Sequence, residues 1–282
     1  MTRITKQLIF GFIFIIIFST IGFGIYKSFQ VEPTCFDLIQ NQTEEGVDCG
    51  KVCGNTCLQS LESIRALSSN LFEIRELNGQ TDYDALFRVY NPNTQFGSSN
   101  VEYSLNILNM NGDSISLMLS KTGSFYILPG QTKYIYEPLL KTNKTSTGKN
   151  VAVLEIIKTD WEKLEGVFNE DVMLVVKSKD YFTNGKPGVS ARVTGTVFNS
   201  SDFDFEKVDV VVVVLKDNIP VGANRTEMRT LLSKSDRFFE VDWVNPITEN
   251  PDRIDVEAST NVFMNSNFIR NYGTQERFQQ PF

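Results

Sequence analysis

From Leu8 to Tyr26 the chain runs for 19 residues without a charge, Leu-Ile-Phe-Gly-Phe-Ile-Phe-Ile-Ile-Ile-Phe-Ser-Thr-Ile-Gly-Phe-Gly-Ile-Tyr. Coiled as an α-helix at about 1.5 Å per residue, it spans roughly 28 Å, close to the hydrocarbon thickness of a bilayer. It is apolar all round, which excludes a surface helix with one wet face. A cleaved signal peptide would carry a shorter apolar stretch ending in a small-x-small site. The text here, Gly-Phe-Gly-Ile-Tyr-Lys-Ser, offers no such site. The run therefore reads as an uncleaved anchor over 8–26. Arg3 and Lys6 precede it and only Lys27 follows closely, so the positive-inside rule leaves residues 1–7 in the cytoplasm and the bulk of the chain extracytoplasmic.

Every acidic residue lies beyond that anchor. The 282-residue chain holds 34 Asp plus Glu against 27 Lys plus Arg, a net charge of −7. An exported body this acidic is a poor partner for nucleic acid, so none is expected. There is no His, which removes His-dependent triads and His-ligated zinc or haem. The 41% of hydrophobic residues suffices for two modest cores and argues against wholesale disorder.

All four cysteines, Cys35, Cys49, Cys53 and Cys57, fall in one short segment after the anchor. On the exported side of a membrane they read as two disulfides, with three connectivities open. Zinc is the rival, but its structural sites favour Cys-x2-Cys pairs and the spacings here are wider. The same segment gathers Asp37, Asn41, Glu44, Glu45 and Asp48, hard oxygen donors of the kind Ca²⁺ takes. The spacing is not that of an EF-hand, because Ile39 occupies the third loop position. Two readings stay open: a calcium site using Asp37, Asn41, Glu44 and Asp48, or turn hydrogen bonds with solvated glutamates. No other cofactor is expected.

The segment resembles a short Cys-rich module of bacterial surface proteins with the approximate pattern Cys-x-Asp-Gly-Ile-x-Asn-x-x-Glu-x-x-Val-Asp-Cys-Gly-Gly-x-Cys-x-x-Cys. Cys35, Asp37, Ile39, Asn41, Glu44, Val47, Asp48, Cys49, Gly50 and Cys53 match it. Leu38 and Lys51 replace two of its glycines, and the last cysteine comes one residue late, at Cys57.

Beyond Cys57 the apolar pattern turns to period two. Leu71–Leu77, Ala85–Tyr90, Val101–Leu108, Ser114–Leu119, Tyr134–Glu137 and Val151–Lys158 are expected strands, separated by turn text such as Asn91-Pro92-Asn93 and Pro129-Gly130. A second set follows at Val172–Lys177, Ser190–Phe198, Val208–Leu215, Arg237–Trp243 and Ile254–Thr260. Leu58–Ser69 has passable helical character and is expected to connect. The halves align at a period of roughly 100 residues, with Asn91 on Asn199 and Val101–Leu108 on Val208–Leu215, which implies two copies of one sandwich. The five valines of Val210–Val214 predict a central strand buried on both faces.

Both units resemble the immunoglobulin-like sandwiches of the FxLYD and late-embryogenesis-abundant (water-stress) class, in which a hydrophobic-x-Asn-x-[Asn/Ser] corner precedes a Val- and Ile-rich strand and a Leu-Pro-Gly-Gln-Thr-like turn. Tyr90-Asn91-Pro92-Asn93, Leu128-Pro129-Gly130-Gln131-Thr132 and Phe198-Asn199-Ser200-Ser201 carry the resemblance; Leu232-Ser233-Lys234-Ser235 departs from the Pro-Gly turn.

The expected fold class is all-β: two tandem immunoglobulin-like antiparallel sandwiches after one transmembrane helix and a small disulfide-rich segment. The expected boundaries are 1–7, 8–26, 31–58 (Cys-rich), 59–163 and 164–268 (sandwiches) and 269–282 (polar tail). No catalytic residue is assigned. Acid pairs such as Glu165 with Glu170 or Asp202 with Asp204 show no sign of sharing a cleft, and a Ser-Lys dyad would have to be assembled from distant segments. The expected function is a non-catalytic, membrane-anchored binding or scaffold protein of the cell envelope with an envelope protein partner. A calcium or small-ligand receptor is the alternative, and an envelope hydrolase stands third.

Overall fold

The computed structural model describes residues 3–29, 35, 40, 44–54, 57, 61–77, 80–111, 114–142, 148–164, 173–247 and 249–273. The chain divides into two units, Met1–Leu61 and Glu62–Phe282. In the first, α1 (Arg3–Phe29) contains the whole uncharged run. Its Arg3–Lys27 stretch is long and apolar enough to cross a membrane, with no side chain buried against protein. The hydroxyl of Thr20 donates back to the Ile16 and Ile17 carbonyls at 2.9 Å, so this polar group needs no water.

In the second unit, β-branched and aromatic residues at alternate positions give strands with one buried face. Along β3 (Phe96–Asn111), Val101, Tyr103, Leu105 and Ile107 are buried while Glu102, Ser104 and Asn106 between them are half-buried. Among the described residues, twelve such strands form four three-stranded antiparallel sheets. The first six are β1 (Arg65–Leu77), β2 (Gln80–Tyr90), β3, β4 (Ser114–Ile127), β5 (Thr132–Lys141) and β6 (Lys149–Lys163). They pair as β1-β2-β5 and β4-β3-β6. The next six are β7 (Leu174–Lys186), β8 (Val189–Asn199), β9 (Phe205–Lys216), β10 (Ile219–Leu231), β11 (Asp236–Trp243) and β12 (Arg253–Ser259). They pair as β7-β8-β11 and β10-β9-β12, the same order over again.

Each pair of sheets closes on its own core. Phe87 and Val89 of β2 and Ile135 of β5 meet Tyr103, Leu105, Ile107 and Phe125 from β3 and β4. Val193, Val197, Phe239 and Trp243 meet Val208, Val210, Val212 and Val214. The outer face of β9 is covered as well: Val211, Val213 and Leu215, with Ala223 of β10, pack on Leu86 and Tyr136 from β2 and β5. The sheets thus stack in four layers, β4-β3-β6, β1-β2-β5, β10-β9-β12 and β11-β8-β7. The valine run is buried on both sides because one parity fills its own sandwich and the other fills the seam with the neighbour.

The two asparagine corners have the same geometry. Asn91 Nδ2 donates to the Phe96 and Leu128 carbonyls, and Asn91 Oδ1 accepts from the Asn93 backbone. Asn199 Nδ2 donates to the Phe203, Leu231 and Leu232 carbonyls, and Asn199 Oδ1 accepts from the Ser201 backbone. Their own N–H groups donate to the Gln131 and Ser235 carbonyls. Gly130 (φ 66°) shapes the first partner turn, and Lys234 (φ 54°) takes the same left-handed conformation in the second despite the missing Pro-Gly.

Three expectations change. Arg65–Ser69 begins β1 rather than ending a helical connector, because its backbone pairs with Phe87–Tyr90 of β2 along an exposed sheet edge. A twelfth strand, β10, runs through text that carried no strand signal. Ile269–Tyr272, placed at the start of a polar tail, completes α2 (Ser266–Tyr272). There Phe268 and Ile269 bury against Leu128, Leu164, Val262 and Phe263, and the Asn265 side chain caps the helix by accepting from the Asn267 and Phe268 N–H groups.

Candidate functional site

The Cys-rich segment resolves into two crosses, Cys35–Cys53 and Cys49–Cys57. A tight turn brings Cys49 back over Gly46, with the Cys49 N–H donating to the Gly46 carbonyl. Asp48 (φ 54°) supplies its left-handed residue. Gly46 faces the second disulfide so closely that a Cβ there would sit 2.8 Å from Cys49 Sγ. Of the four expected calcium ligands, Asp37 and Asn41 lie outside the described residues. Glu44 is buried, its Oε1 3.2 Å from Cys53 Sγ. Ligand atoms of Cys35, Glu44 and Cys53 lie within 4.8 Å of one another. Both sulfurs belong to one disulfide, which is neither a thiolate nor a hard donor, so this trio offers a cation a single carboxylate.

The acid pairs form no catalytic couple among the described residues. Asp202 pairs with Lys234, Asp204 accepts from the Ser233 N–H, and Glu165 and Glu170 lie outside the described residues. The chemistry-bearing groups converge elsewhere, in a cleft of about 650 Å³ where the two sandwiches meet. Tyr126 comes from β4, Lys133 from β5 and Ser259 from the end of β12. Lys133 Nζ donates to Ser259 Oγ at 2.6 Å, and Tyr126 Oη donates to the same oxygen at 2.8 Å. The ammonium also lies over the Tyr126 ring, 3.8 Å from its centroid. Lys133 is only 5% exposed and Ser259 1%.

Around this trio the wall is aromatic and mixed in charge: Phe125, Tyr134, Tyr136 and Val211, with Glu137, Asp209 and Arg225. Tyr103 donates to Glu137 Oε1 at 2.7 Å, and Lys121 Nζ pairs with Glu137 Oε2. Burial, and then the hydrogen bond to Glu137, push the Tyr103 phenol well above its ordinary range. Burial and Asp84 do the same for Tyr136. Gly123 faces Tyr103 across the ladder, and a Cβ there would strike its hydroxyl at 2.4 Å. The Tyr134 N–H donates to Glu257 Oε2, a second polar tie between β5 and β12.

A Ser-Lys pair is a nucleophile in some hydrolases. Here Ser259 Oγ is sealed by its two donors and by the β12–β9 ladder, so a substrate carbonyl cannot reach it without local opening. Tyr126 and Ser259 stand 133 positions apart and Lys133 and Ser259 126 apart, separations that hide the trio in linear order. One local signal existed: Lys133 stands in phase with buried Ile135 on a strand that alternates. Comparison with protein-family models and with curated proteins returns no match.

Proposed function

We propose that this chain is a non-catalytic, membrane-anchored binding or scaffold protein of a cell envelope, with its N-terminus cytoplasmic and its β-sheet body extracytoplasmic. The observation that carries the reading is the succession of a bilayer-length apolar helix and a segment whose four cysteines are all paired. Disulfides persist in oxidising compartments, and every cysteine lies C-terminal to α1. The basic pair Arg3 and Lys6 ahead of the uncharged run supports the same orientation. The strand order common to both halves supports two copies of one sandwich, in line with the resemblance to tandem water-stress-like domains. The sealed Ser259 favours binding over acyl transfer.

Proteolysis of intact cells tests the topology. Externally added protease should remove the β body while the membrane-embedded apolar run and residues 1–7 ahead of it stay protected, and non-reducing mass mapping should recover both disulfides. A body protected in intact cells and cut only after lysis, or four free thiols, defeats the proposal. Cross-linking in the native membrane then addresses the partner: a discrete envelope protein should co-purify, and recovery of the chain alone counts against a scaffold.

A further inference from the structure

Besides that cleft, the seam opens into a groove of about 610 Å³ where β1 and the end of β5 face the start of β10 and the end of β11. Three apolar side chains stand out along it: Leu139 and Ile219 are each 62% exposed, and Val244 is 71% exposed. Phe72, Ile74 and Ile247, all half-buried, continue the apolar surface inward. Single exposed aliphatics are ordinary, but three from separate elements on one concave surface have the arrangement of an interaction site. Leu139 is also held there against its backbone preference. It takes φ 53°, a left-handed conformation costly to a residue with a Cβ, and its N–H is pinned by Asp84 Oδ1 at 2.8 Å.

Charge decides what fits. Of the described residues lining the groove, Glu73, Asp84, Asp242 and Glu249 are acidic and none is Lys or Arg. Asp84 is satisfied by Tyr136 Oη and the Leu139 N–H, and Asp242 by Arg192. Glu73 and Glu249 are both exposed and have no ion-pair partner among the described residues. This rim repels an anionic lipid surface, and two copies of the groove set face to face would oppose the same carboxylates. A segment with apolar side chains between basic ones meets both the floor and the rim.

We propose that this groove docks an apolar, Lys- or Arg-flanked segment of a protein partner, its aliphatic side chains against Leu139, Ile219 and Val244 and its cations at Glu73 and Glu249. The proposal names the chemistry of the partner in the scaffold reading above and rests on that reading, but not on the orientation of α1. A segment seated there touches both sandwiches at once.

The test uses the full chain in phosphatidylcholine nanodiscs, with empty nanodiscs as the blank. The probe is a fluorescein-labelled Lys-Lys-Leu-Ile-Leu-Lys-Lys peptide, compared with Glu-Glu-Leu-Ile-Leu-Glu-Glu and Lys-Lys-Ser-Asn-Ser-Lys-Lys, and anisotropy reads binding. The basic apolar peptide should bind saturably and more weakly as salt rises, and the other two at least about tenfold more weakly. Leu139→Asn should weaken binding by roughly tenfold or more while leaving the unfolding midpoint unchanged or higher, since Asn tolerates the left-handed φ. Ile219→Ser, at an exposed position, is the second variant should the first fail to fold. Glu73→Gln combined with Glu249→Gln should weaken binding by about threefold to tenfold and flatten its salt dependence. The proposal is overturned by no saturable binding of the basic peptide, by equal binding of the acidic one, or by folded groove variants that bind like the native chain. It is overturned too if no peptide binds and either the nanodiscs float with phosphatidylglycerol vesicles or the chain forms dimers that Ile219→Ser disperses, which would give the groove to lipid or to a second copy. Failure of the peptide leaves the protease and disulfide results untouched, whereas a protected β body defeats the anchored reading whatever the peptide does.

Discussion

Asn91 and Asn199 each satisfy several backbone groups at a strand end where no ladder partner is available. Asn199→Ala would leave the Phe203, Leu231 and Leu232 carbonyls and the Ser201 N–H to find other partners in a buried corner. At about 1–3 kcal/mol for an abandoned buried group, partly recovered by water, a loss of roughly 2–4 kcal/mol is expected in urea denaturation. Asp84 is a different residue-scale device. Burial holds its carboxyl above the ordinary 3.8, against the lowering effect of hydrogen bonds from Tyr136 Oη and the Leu139 N–H. The native state therefore keeps this proton longer than the unfolded chain does. The stability it contributes is complete below pH 3.8 and is lost as pH rises through the folded value. Asp84→Asn should remove that slope from a stability–pH series and match or exceed the native protein near neutral pH. The corners were legible because Asn91 and Asn199 end matching apolar runs. The common turn was not, since Lys234 takes by context a conformation that Gly130 takes by nature.

Among elements, β9 buries more apolar side chains than any other strand of the second half. Val213 is fully buried on the seam, facing the first sandwich rather than its own. Val213→Asp would place an unpaired carboxylate there and should cost at least about 3 kcal/mol, seen as a lowered unfolding midpoint, whereas Ile219→Asp at an exposed position of β10 should change little. Five consecutive valines announce a strand that needs cover on both faces, and that much could be read directly. What provides the cover could not, because Leu86 and Tyr136 belong to strands that also serve another core. β10 escaped notice for a related reason. Its buried positions are Gly222, Ala223, Met228 and Leu231, broken by a register shift after Pro220, so no alternation survives in the text. Apolar runs marked the middles of the strands, and the polar ends, such as Arg65–Ser69, are strand only because β2 pairs with them.

For the molecule as a whole, the covalent cross-links and the β-sheet core reside in different units. Reduction should therefore leave the main unfolding transition of the β body within about 2 °C while exposing the Cys-rich segment to protease; a large common shift would show that the two units fold as one. The bilayer-length apolar helix, the disulfide segment and the all-β class follow from local text. The cleft does not, since Tyr126, Lys133 and Ser259 meet only when sheets far apart in sequence are stacked.

The double duty of β9 also sets an order of events during translation. Residues 65–141 can close their own core as soon as β6 arrives, yet Leu86 and Tyr136 stay wet until β9 and β10 leave the ribosome. At about 5–20 residues per second the wait from Lys163, the end of β6, to Leu231 is roughly 3–14 s. For that interval the nascent first sandwich carries a sticky flank, the surface on which a chaperone or a neighbouring polysome product would compete with the chain's own valines.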